Sequence, residues 1–174
     1  MAGILDTHRT GRAGAVERIV TVWALLGGGL LLVVVTINVL AVVGSAIGVP
    51  LPGDVELTEM GVAIAVFAFL PYCQMIDANV TADIFTAGAG PRMLAALRAL
   101  ASLIALLFAA ILVWRMYEGM LDQRQYNYIT TILQIPVWWA FVPILVSLLL
   151  LIVAAVVNVA EAARRTAKQP EAGQ

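Results

Sequence analysis

The sequence predicts an all-α integral membrane protein with four transmembrane helices, and three observations carry that prediction. Of 174 residues, 62% are hydrophobic and only 12% charged, where water-soluble domains run about 45–50% and about 25%. The mean hydropathy of +0.97 belongs to a chain whose surface faces lipid. Charged side chains also leave four long intervals untouched: Ile19 to Gly53, Met60 to Ile76, Ala99 to Trp114 and Gln125 to Ala160. A helix rising 1.5 Å per residue needs about 20 residues to cross a hydrocarbon core of about 30 Å, so each interval nucleates one span.

The first span is placed near 19–46. Its apolar run is far longer than the roughly 7–15 residues of a signal-peptide core, so it reads as a retained anchor. The second, near 55–76, follows Pro52-Gly53-Asp54, a turn with an N-cap, and Asp54, Glu56 and Glu59 favour the positive end of its dipole. Pro71 removes a backbone donor and predicts a kink near its far end. The third is placed near 92–117, with its terminal arginines reaching toward the interface. The fourth, near 137–160, begins at Pro136, Trp138 and Trp139. These spans form one membrane domain, 19–160, between an N-terminal segment, 1–18, and a tail, 161–174, read as disordered.

Sidedness follows the basic residues. Arg9, Arg12, Arg18, Arg92, Arg98, Arg164, Arg165 and Lys168 fall on one side of this topology, and only Arg115 and Arg124 on the other. The positive-inside rule then puts both termini in the cytoplasm. In the second, cytoplasmic loop, Asp83 before Ile84 reads as the N-cap of a short interfacial helix between spans two and three.

The residue inventory argues against chemistry. One cysteine, Cys73, and one histidine, His8, leave no disulfide pair, CxxC motif or bis-histidine haem site. No HExxH, Walker or GxGxxG pattern occurs, and Ser45, Ser102 and Ser147 have no histidine within reach. No catalytic, cofactor-binding or metal-binding residue is expected, and the nearly balanced charge gives no basic surface for nucleic acid. Ionisable side chains persist inside spans for function, yet the first and last spans contain none. Their strongly polar side chains, Asn38 and Asn158, read as interhelical hydrogen bonders, Ala24/Gly28 and Gly44/Gly48 as sites of close helix approach, and the Gly27-Gly28-Gly29 run as a bend or crossing. Trp138, Trp139, Tyr126 and Tyr128 form an aromatic belt at the outer interface or a docking point for a partner.

The ordered set of motifs resembles the small membrane subunit of tripartite ATP-independent periplasmic (TRAP) transporters, the DctQ family. The segment from Gly48 through Pro50 and Pro52 to Glu56 leads into span two, with Phe67 and Phe69 in its middle. Asn79-Val-Thr-Ala-Asp83 resembles the family's polar segment ending in aspartate, and Ile135-Pro136-Val-Trp138-Trp139 its Pro-aromatic start of the fourth span. Members often carry an arginine near the outer end of span one, where this chain reads Gly44-Ser45.

The resemblance implies a division of labour in the bacterial inner membrane. An obligate large membrane subunit carries the substrate and sodium sites, and a periplasmic binding protein delivers an organic acid. The small subunit, without cofactors and surrounded by lipid, braces the large one, and its outer-facing loops, 47–54 and 118–136, are expected to help dock the binding protein. Pro50, Pro52, Glu56, Asn79, Asp83, Pro136, Trp138 and Trp139 are the candidate motif or interface positions. The competing expectation is an autonomous homo-oligomeric transporter or channel, with Glu56, Glu59 or Arg115 lining its path.

Overall fold

Why each helix starts and stops where it does is a matter of local backbone chemistry. The computed structural model describes residues 12–76 and 91–168, which form four helices: α1 (Arg12–Ala46), α2 (Asp54–Met75), α3 (Pro91–Gln125) and α4 (Trp138–Lys168). All four contain stretches long and apolar enough to cross a membrane, and the described residues contain no strand, only one isolated bridge. The fold is therefore the expected all-helical, four-span one. The interfacial helix expected after span two lies outside the described residues.

α1 ends because Gly48 adopts φ +80°. Its N–H bonds to the Ser45 carbonyl at 3.2 Å, and the Val49 N–H turns back to the Gly44 carbonyl at 2.8 Å. This is the Schellman arrangement, which satisfies carbonyls that a helix end leaves free. Gly44 is required there, since a Cβ at that position would sit 2.5 Å from the Val49 oxygen. α2 begins after Gly53, whose φ of +83° makes it the N-cap without a side-chain hydrogen bond. Asp54, expected as the cap, instead joins Glu56 in the first turn, where carboxylates oppose the partial positive charge of the free N–H groups. The helix carries through Pro71 as far as Met75.

α3 runs eight residues beyond 117, to Gln125. Its last turns carry Glu118, Asp122 and Arg124, a polar stretch that reads like a loop but continues the helix. There Asn127 takes φ 49°, and Asn127 and Tyr128 donate to the Arg124 and Gln123 carbonyls, repeating the Schellman closure with asparagine in the left-handed position.

Packing makes a row and leaves it open. α1 lies along α2, α2 along α4, and α4 along α3; α1 touches α4 only briefly, and among the described residues α3 meets neither α1 nor α2. A closed four-helix bundle would bring the first and last members of this row together. Here α2 and α4 form the middle, where Leu148, Ala154, Ala155, Ala65 and Pro71 are buried.

The α1–α2 contact depends on missing side chains. A Cβ on Gly27 would lie 2.7 Å from that of Ala68, and one on Gly61 would lie 2.4 Å from Val34 Cγ2. Close backbone approach through small residues is how helices associate where lipid removes the hydrophobic driving force. Gly27 belongs to the run offered as a bend or crossing, whereas in the expected pairs a Cβ on Gly28 would be 3.9 Å from Phe69, an ordinary contact, and Gly44 and Gly48 serve the turn. Polar groups then fix the register. Asn38 Nδ2 donates to Thr58 Oγ1 at 2.7 Å and to the Val34 carbonyl at 2.9 Å. Trp23 Nε1 donates to Ser147 Oγ at 2.9 Å, linking α1 to α4, and the Ser147 hydroxyl in turn donates a hydrogen bond to the Pro143 carbonyl at 2.8 Å. At the opposite end from the α3–α4 connection, Asn158 Nδ2 donates to the Gln74 carbonyl, beside a cluster of Val20, Met75 and Ala154.

Candidate functional site

The polar architecture gathers where α2 starts and the α3–α4 connection folds over it. Residues 126–137 form a small hairpin, bridged between Ile129 and Pro136. Thr130 holds it twice: its N–H donates to the Ile135 carbonyl and its Oγ1 accepts from the Ile135 N–H, both at 3.0 Å. The Val137 N–H closes the base on the Tyr128 carbonyl at 3.1 Å. Pro136, with no N–H to offer, takes the bridge position that needs none, and its carbonyl accepts from the Trp139 N–H at the start of α4.

Glu56 ties this hairpin to α2. One carboxylate oxygen accepts the Ile132 N–H at 2.7 Å and the other the Leu133 N–H at 2.9 Å. The tip is thus held by two charge-assisted hydrogen bonds to a helix 76 and 77 positions earlier in the chain. Beneath it, Leu133 packs on Gly53 so closely that a Cβ there would fall 2.4 Å from Leu133 Cγ. Glycine therefore answers two needs at 53, the left-handed backbone and the space for leucine.

Aromatic rings surround the hairpin. The Tyr126 and Tyr128 rings lie 6.0 Å apart, and those of Trp138 and Trp139 meet edge to face at 6.1 Å. The Arg124 guanidinium sits 5.7 Å from the Trp138 ring, within cation–π range. Below this end, α1 and α2 leave a groove of about 500 Å³ lined by valines, with Asn38 and Thr58 at its polar edge.

Of the positions singled out from sequence, the structure brings Pro52, Glu56, Pro136, Trp138 and Trp139 to this one end, with Pro50 in the α1–α2 turn. Asn79 and Asp83 lie outside the described residues. Sequence reasoning had Gly53, Thr130, Ile132 and Leu133 only as members of the loops 47–54 and 118–136 and singled out none of them. Only the Pro-Gly pair at 52–53 carried a signal, because a bond between Glu56 and a backbone amide leaves no trace in residue type. Among the described residues no three His, Cys, Asp or Glu side chains come together as a metal site.

Four helices long and apolar enough to cross a membrane, with a polar clamp at one end of them, describe a membrane component. The family model for tripartite ATP-independent periplasmic transporters, DctQ component, matches residues 31–165. The chain belongs to the DctQ family. The match takes in the second half of α1, all of α2 and α3, most of α4 and both elements of the clamp. As a DctQ component, the chain is a small permease subunit of a tripartite transporter, a multi-pass inner-membrane protein that works with partner subunits. Nothing matches among curated proteins or among solved structures.

Proposed function

We propose that this DctQ subunit is a non-catalytic brace. It packs against the large membrane subunit, widens its footprint in the bilayer, and supports sodium-coupled uptake of an organic acid delivered by a periplasmic binding protein. The observation that carries the reading is the open helix row. α1 and α3 occupy its two edges, and apolar side chains project from both: Leu25 is 70% exposed, Leu32 71%, Leu107 61% and Phe108 61%. Such surface needs lipid or another protein to cover it, and supplies contact area in place of ligands.

The basic residues support cytoplasmic termini, which places the 47–53 turn and the 126–137 hairpin outside. There they are positioned to help dock the binding protein. Pro50, Pro52, Pro136, Trp138 and Trp139 belong to this outer surface.

Reconstitution in proteoliposomes tests the brace. The chain alone, the chain with its large subunit, and the full set with the binding protein are offered a panel of radiolabelled organic acids under a sodium gradient. Uptake is expected only from the full set and is expected to vanish when the gradient is collapsed. Uptake by this chain alone would establish the autonomous transporter instead.

A further inference from the structure

The outer hairpin shows a combination that surface loops seldom have: an apolar tip on a pinned backbone. Tyr126 is 66% exposed, Tyr128 54%, Ile129 53% and Ile132 56%. Exposed connections are ordinarily mobile and polar, because they gain nothing from being ordered. This one is ordered by four devices: the Glu56 carboxylate on two amides, Leu133 seated on Gly53, the doubled Thr130–Ile135 contact and the left-handed turn at Asn127. Apolar and aromatic side chains fixed in advance lose little entropy on binding, and this is the usual make-up of an interface hot spot.

We infer that Glu56 is a positioning residue for recognition of the periplasmic binding protein: it holds the Ile132–Leu133 tip in the conformation that the binding protein grips. This rests on the docking role proposed above. Glu56 does not itself touch the partner through its carboxylate, since both oxygens are occupied by the hairpin. The charges around the tip specify the partner's face. Asp54, Glu59, Glu118 and Asp122 belong to the same end of the helices as Arg115 and Arg124, so acids outnumber bases there, and Arg124 is turned onto Trp138. A face with an apolar centre and a lysine- or arginine-rich rim complements this arrangement. An anionic lipid surface does not, because the acidic rim would repel it.

The test uses the chain assembled with its large subunit in nanodiscs and titrated with the transporter's own purified binding protein. Glu56→Gln keeps one acceptor oxygen and presents an NH₂ group to the second amide, so the tip loses its lock without losing bulk. It is expected to weaken binding about tenfold, the effect of about one charge-assisted hydrogen bond, and to speed amide hydrogen exchange at Ile132 and Leu133. The amount of large subunit recovered with the chain is expected to stay the same. If Glu56→Gln fails to assemble, Thr130→Val removes the hydroxyl that meets both the Ile135 N–H and the Glu56 carboxylate, and is expected to give the same loss of affinity. Unchanged affinity in the assembled variant, with Ile132→Ser weakening binding, overturns the positioning role and leaves the docking surface in place. Unchanged affinity in Ile132→Ser overturns the docking reading itself.

Discussion

Glu56 and Gly53 show how much a few atoms decide at the clamp end of this protein. A carboxylate in the first turn of a helix ordinarily serves the free N–H groups of its own helix. Glu56 serves two amides of a distant hairpin instead, and Gly53 leaves the space into which that hairpin's leucine fits. Gly53→Ala combines a strained backbone with a collision, and is expected to destabilise the subunit by about 1–3 kcal/mol. A fall of several degrees in the thermal midpoint of the purified complex would register this, and an unchanged midpoint would show that the hairpin yields freely. Trp23→Phe tests the other long-range polar link: it removes the donor to Ser147 Oγ and keeps most of the ring volume. About 1 kcal/mol of destabilisation is expected by the same measurement.

At the scale of helices, the α1–α2 seam is set by what its residues lack. Gly61→Ala puts a methyl group against Val34, whose branched side chain has little rotamer freedom to retreat. It is expected to cost about 1–3 kcal/mol. Gly29→Ala makes a control on the facing helix, α1, since nothing lies within 4 Å of its added Cβ; it is expected to be neutral or slightly stabilising, as alanine favours helix over glycine. Equal effects of the two, read as thermal midpoints, would contradict close packing at Gly61. The sequence made the helices legible because lipid excludes charge, so the uncharged runs mark their positions. It did not make their ends equally legible. α3 continues through Glu118, Asp122 and Arg124 to Gln125, since a helix that has left the hydrocarbon no longer needs apolar residues to persist. The packing glycines were hidden for a related reason. Spacing along one helix identifies pairs on one face, but Gly27 is paired with Ala68 and Gly61 with Val34, each on another helix. The clamp was half legible: Glu56, Pro136 and the tryptophans were conspicuous by type, whereas the partners of Glu56 are backbone amides that any residue supplies.

For the molecule as a whole, the decisive feature is that the row does not close. α2 and α4 bury one another, and α1 and α3 are each held along one side only. With apolar side chains projecting from both edges, the subunit offers a broad helical surface whose covering differs between the free and the assembled state. A partner that binds the folded subunit raises its stability through mass action, by about 2.7 kcal/mol at a hundredfold excess over the dissociation constant. The thermal midpoint of the subunit is therefore expected to rise by several degrees when its large partner is present. The most direct test of the brace is capture of this chain from its native membrane in mild detergent, followed by mass spectrometry of what accompanies it. The account predicts one much larger polytopic membrane protein in fixed ratio with the chain, and recovery of the chain alone as a homo-oligomer would contradict it.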